Sequence, residues 1–166
     1  MSRAATASDP TTRQLLGCEM AVEVLRTSGR LRLRATGASM LPAIWPGDVL
    51  LVRRCGAVEA LPGDIVLCHC AGRLVAHRLI RRTLSQNRIQ WVTQGDSVEG
   101  SDTPVSSPEL LGRVTAIGRG SRWLSPRRSL LGRAASWILS RSTLATRALL
   151  RLGKPVFCVQ DQSLRA

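Results

Sequence analysis

The stretch LRLRATGASMLPAIWPGDVLLVR, residues 31–53, reads as strand, turn, strand. Leu31, Leu33 and Ala35 alternate with Arg32 and Arg34, the period-two pattern of a strand with one buried and one wet face. A second β run follows over Val49–Arg53. Between them Ser39 stands at the end of the first strand, with Gly37 two residues before it and Pro42 three residues after. A glycine loosens the entry to such a turn and a proline fixes its exit. The turn can therefore present the Ser39 hydroxyl and the Ser39 backbone N–H to one carbonyl group.

Working outward, further β runs are expected at Ile65–Cys70, Arg73–Ile80, Ile89–Thr93 and Leu111–Ile117, separated by Gly-Asp, Pro-Gly, Ala-Gly and Gln-Asn turn signals. Residues 31–120 are thus expected to form one compact, mainly β domain. Gly-Asp occurs at Gly47-Asp48, Gly63-Asp64 and Gly95-Asp96, in surroundings that do not align as a repeat. Upstream, Leu15, Cys18, Val22 and Leu25 recur at spacings of three and four, which predicts an amphipathic helix over Thr11–Thr27, capped by Thr11 or Thr12 and stopped at Ser28-Gly29. Residues 1–30 are expected to pack this N-terminal helix on the domain. Downstream, residues 121–166 carry a second amphipathic helix, Leu130–Leu152, bounded by Pro126 and by Gly153 with Pro155. Leu131, Ala135, Ile138, Ala145, Leu149 and Leu152 share one face, and Arg133, Arg141, Arg147 and Arg151 lie opposite.

Length and composition narrow the classes. The 166 residues make one ordinary domain that can bury a core unaided. No run reaches the ~18 apolar residues of a membrane-spanning helix, and the polar start MSRAATASDPTTR lacks the apolar run of a secretory signal, so a cytoplasmic location is expected. Five scattered cysteines suit a reducing compartment. Cys68-His69-Cys70 looks like a metal cluster, but on a strand Cys68 and Cys70 share a face and His69 points away. No metal or cofactor is expected. The net charge of +13 calls for an anionic partner. With one Phe, no Tyr and dispersed Trp there is no stacking platform, so no nucleic acid is expected. An anionic membrane surface, met peripherally through the C-terminal helix, is the expected partner beside a polypeptide substrate.

Gly37-x-Ser39-Met40-x-Pro42 with Gly47-Asp48 downstream resembles the nucleophile box of the signal peptidase I and LexA-like serine peptidases. The resemblance continues in family order through Pro62-Gly63-Asp64-Ile65-Val66, Val75-Ala76-His77-Arg78, Thr93-Gln94-Gly95-Asp96 with Asp102 six residues on, and Leu111-Gly112-Arg113-Val114. It spans roughly residues 31–118 and implies the compact β-fold of that group. It also implies Ser39 as nucleophile and His77 as general base, in the manner of the ER and archaeal signal peptidases. The bacterial branch has a lysine there, whereas this chain has no lysine before Lys154. On its strand His77 shares a face with Val75 and Leu79, while Arg78 faces away. A carboxylate must hold the imidazole tautomer. Asp102 is favoured by the matched spacing, and Asp96 is the alternative with a structural role in prospect. Met40 and Pro42 are the candidate substrate-contacting residues, with small residues preferred near the scissile bond. The serine hydroxyl that bacterial signal peptidases place two positions before the nucleophile is replaced by Gly37, so the oxyanion donor expected is the Ser39 N–H, with no second donor assigned.

The function expected is a serine endopeptidase that cleaves signal or leader peptides from precursors, without the usual membrane anchor. The alternative is a self-cleaving LexA-like regulator, or a non-catalytic binding module on the same fold. A single helix before the β domain leaves no helix-turn-helix. The Ala-Gly and Cys-Gly pairs such regulators cleave fall inside the domain, at Ala71-Gly72 and Cys55-Gly56.

Overall fold

The computed structural model describes residues 10–126 apart from Gln86. The C-terminal helix expected over Leu130–Leu152 lies outside the described residues. Helix α1, Pro10–Ser28, leads into strands β1 (Arg30–Arg34), β2 (Val49–Arg54), β3 (Ile65–Cys70), β4 (Arg73–Ser85) and β5 (Arg88–Gln94). After a 3-10 turn at Ser107–Glu109 come β6 (Leu110–Arg119) and β7 (Arg122–Leu124). The strands form one antiparallel seven-stranded sheet in the order β1-β2-β6-β3-β4-β5, with β7 paired to the end of β6. The mainly β architecture with an N-terminal helix is thus the one expected.

Alternation along the strands divides the core in two. Leu31 and Leu33 of β1, Leu50 and Val52 of β2, Ile65 and Leu67 of β3, and Val114 and Ile117 of β6 gather under α1. Val66 and Cys68 point from β3 to the other face, where Leu79, Trp91, Val105 and Leu110 enclose them. A strand buried on both faces reads as an unbroken apolar run, and Ile65–Cys68 is one. Each fully buried Leu or Ile here is worth about 2 kcal/mol.

The helix differs from expectation in two details. It is described from Pro10 onward, so Thr11 and Thr12, the expected caps, lie within it. Its buried stripe is Cys18, Ala21, Val22 and Leu25, while Leu15 is 46% exposed. Leu15 sits at the margin of that stripe, near the end of the helix that reaches toward the β3–β4 turn.

The Gly-Asp pairs also hold more order than their sequences suggested. Trp45-Pro46-Gly47-Asp48 and Leu61-Pro62-Gly63-Asp64 form the same turn. In each the Asp N–H donates to the first residue's carbonyl at 3.0 Å. In return the Asp carboxylate accepts that residue's N–H, at 2.8 Å from Trp45 and 3.0 Å from Leu61. Gly47 and Gly63 sit at φ 95° and 96°, the third position of a turn that a preceding proline opens and only glycine fills without strain. Each turn launches a strand, β2 and β3 respectively.

Candidate active site

Ser39 lies in the turn between β1 and β2, which is anchored from below. Beyond Arg34 the chain stays extended, with Ala35 N–H donating to the Asp48 carbonyl at 2.8 Å and Gly47 N–H to the Ala35 carbonyl at 2.7 Å. Met40, Leu41 and Ile44 are buried beneath it, and a cis peptide joins Leu41 to Pro42. Asp48, itself buried, receives the Arg119 guanidinium at 2.7 Å, and Arg119 also donates to the Ala43 carbonyl at 3.2 Å. The Asp48 carboxylate holds the Arg119 pKa above its ordinary value.

The end of β5 clasps the same turn from above. Ser97 N–H donates to the Ser39 carbonyl at 2.9 Å and the Ser97 hydroxyl to the Ala38 carbonyl at 2.8 Å. A Cβ on Gly95 would stand 2.6 Å from the Ser39 carbonyl oxygen, so the two turns meet this closely only because residue 95 has no side chain. Asp96 points away from the serine. Its two carboxylate oxygens accept from Arg78 Nε at 2.8 Å and Nη2 at 2.7 Å, and Arg78 Nη1 donates to the Gly63 carbonyl at 2.7 Å. Arg78 does face away from His77, as the strand period requires, but it faces into protein and not into water: it is 1% exposed.

From Asp96 the chain loops out and returns along the edge of β5. Asp102 N–H donates to the Thr93 carbonyl at 2.8 Å, and Val105 bridges Trp91. This return places Asp102 beside β4. Its Oδ2 lies 2.6 Å from His77 Nδ1 and accepts the Thr93 hydroxyl at 2.7 Å. On the other side of the ring, Nε2 is 2.9 Å from Ser39 Oγ. An ionised carboxylate can only accept, so Asp102 selects the tautomer with the proton on Nδ1 and leaves Nε2 to accept from the serine hydroxyl. The His77 side chain is 13% exposed and that of Asp102 34%, so the pair is shielded at the imidazole and open at the acid.

Residues 8–114 match the family described as Peptidase S24-like, a span that contains Ser39, His77 and Asp102. The chain belongs to the peptidase S24-like family. No curated protein matches it.

An open groove of about 300 Å³ runs past Ser39 in this S24-like domain. One wall is the extended stretch 35–37, the other is the start of β4 from Arg73 to His77, and Met40, Ile44 and Leu50 lie between. That half of β4 pairs with β3 alone, because β5 joins β4 only from Arg78 onward. Its second edge is thus unpaired among the described residues. Met40 is among the groove-lining residues. Pro42 is not among the lining residues; its carbonyl accepts the Trp45 indole N–H at 3.0 Å. Of the two candidate acids, the structure brings Asp102 to the histidine and Asp96 to Arg78.

Gly95, Ser97, Thr93 and Arg78 were not recognised as site residues. Gly95 carried a signal, its place in a Gly-Asp pair, but a close approach to a distant serine leaves no local trace. Cys68 and Cys70 share the second apolar cluster, with His69 opposite. Among the described residues no group of three His, Cys, Asp or Glu could hold a metal ion. Burial, followed by Cys70 and Asp102, pushes the Cys68 thiol up to about 12.

Proposed function

We propose that this chain is a serine endopeptidase that removes signal or leader segments from precursor polypeptides. The observation that carries the reading is the continuous hydrogen-bonded run Ser39–His77–Asp102, at 2.9 and 2.6 Å, opening on a groove with a free strand edge. An extended peptide adds to the Arg73–His77 edge and brings its carbonyl to Ser39. His77 Nε2 takes the proton as Oγ attacks the carbonyl carbon, and Asp102 stabilises the imidazolium that forms. The Ser39 N–H, which has no acceptor among the described residues, receives the developing oxyanion. His77 then passes its proton to the leaving amine, and water attacks the acyl-enzyme by the reverse sequence.

A histidine base, and a chain without lysine before Lys154, favour the ER and archaeal signal peptidase type within this superfamily. Family membership equally suits the self-cleaving regulators. Against that reading, Ala71-Gly72 forms the tight turn between β3 and β4, at φ 48° and 71°, a conformation unlike the extended one a peptidase groove takes. No helix among the described residues is long and apolar enough to cross a membrane. An anionic membrane surface, met through the basic C-terminal segment, remains part of the proposal.

The test is incubation of the purified chain, beside Ser39→Ala, with precursor polypeptides carrying N-terminal leaders, and identification of products by mass spectrometry. Discrete N-terminal fragments formed by the wild type alone are expected. Cleavage confined to the chain itself would assign the self-cleaving role, and no Ser39-dependent product would leave a binding module.

A further inference from the structure

Among the residues lining the groove, one carries a permanent charge. Arg73 stands at the end of the Arg73–His77 wall furthest from the histidine, exposed, and makes no ion pair among the described residues. Gln14 of α1 lines the same groove. Helix and hairpin are close there: a Cβ on Gly72 would stand 2.8 Å from Leu15 Cδ2.

The strand period says which substrate side chains meet which groups. Leu74 belongs to the apolar cluster under α1 and Ala76 packs against it, so their side of β4 is the groove's apolar floor. Arg73, Val75 and His77 share the opposite face. A peptide bonded to the free edge of β4 sends alternate side chains over the floor and onto the Arg73–His77 face, each level with its cross-strand neighbour. His77 marks the reacting bond. Arg73 lies about four residues further along, roughly 13 Å at about 3.3 Å per residue.

We propose that the groove selects peptides bearing a carboxylate side chain about four residues from the scissile bond, held by the Arg73 guanidinium. A guanidinium matches a carboxylate with two parallel N–H donors, which gives register as well as attraction. The inference rests on the peptidase reading only for the position of the bond; the preference for an acid is a property of binding and is measured without cleavage.

The experiment uses fluorescein-labelled ten-residue peptides of alanine and leucine in which a single Glu, Gln or Lys is moved one position at a time. Binding to full-length Ser39→Ala is read by fluorescence anisotropy, and cleavage by the wild type is followed in parallel. One Glu position should bind about fivefold tighter than Gln, the upper range for an exposed ion pair. That advantage should vanish in Arg73→Ala, pass to Lys in Arg73→Glu, and weaken at high salt. Equal binding of all three peptide sets, no binding of any, or a Glu preference that survives Arg73→Ala would overturn the proposal. So would a preference independent of Glu position, which would express only the general field of a chain with net charge +13. A positional Glu preference that depends on Arg73, without cleavage by the wild type, upholds this inference and removes the peptidase reading instead.

Discussion

Ser39 Oγ and His77 Nε2 are 2.9 Å apart, and in the proposed mechanism they share one proton, so their losses should not add. Ser39→Ala is expected to abolish peptide hydrolysis with the melting temperature unchanged, His77→Ala to be nearly as damaging, and the double variant to be no worse than the first. Additive losses in kcat/KM would reduce His77 to a packing residue. The two acids separate by the measurement they move. Asp102→Asn leaves the fold but removes the acceptor that fixes the imidazole tautomer, and should lower kcat by orders of magnitude. Asp96→Asn leaves the buried Arg78 charge uncompensated, and thermal denaturation should show a loss of about 3–5 kcal/mol. Ser39, His77 and Asp102 were legible because motif spacing carries them. The partition of roles between Asp96 and Asp102 was not, since it depends on the loop after Asp96 returning along β5, a long-range pairing without a local signature.

At the level of elements, the Ser39 turn is held between two Gly-Asp turns, Gly47-Asp48 below and Gly95-Asp96 above. Gly95→Ala should therefore act at a distance. The new Cβ, 2.6 Å from the Ser39 carbonyl, must push the serine turn away from Ser97. A shift of that size costs on the order of a hundredfold in kcat/KM and about 1–3 kcal/mol in stability. Unchanged kinetics would mean the clasp does not position the serine. Strand existence was legible wherever one face is buried, as in β1, with its regular alternation of exposed Arg and buried Leu. It failed at the far end of β4, expected to stop at Ile80 but running to Ser85. Ile80 is the extra residue of a bulge, and Arg81 to Ser85 lie beyond the core with little burial on either side, so no alternation marks them. Cys68, in β3 between the two clusters, gives an independent check. With its thiol near 12 and its side chain buried, it should resist alkylation at pH 8 in the folded chain and react only on unfolding, as read by mass spectrometry.

Across the whole molecule, charge and apolar core are unevenly divided. Residues 127–166 carry eight of the 24 basic residues and one of the 11 acidic ones, so over half of the net charge of +13 lies after the described sheet. Both apolar clusters and the Ser39–His77–Asp102 run are built from residues 10–126, and the family match ends at residue 114. A chain ending at Pro126 should accordingly keep its cooperative melting transition and its hydrolysis of short soluble peptides. What it should lose is attraction to anionic surfaces. Each basic residue near an anionic bilayer contributes about 1 kcal/mol, attenuated within a Debye length of ~10 Å at 0.1 M salt. The full chain should co-sediment with vesicles containing phosphatidylglycerol at low salt, release from them as salt rises, and ignore neutral vesicles, whereas the shortened chain should stay in the supernatant. If shortening instead lowers the melting temperature and the turnover of every peptide, the C-terminal residues cover the domain's own surface, and the apolar stripe from Leu131 to Leu152 belongs to the core and not to lipid.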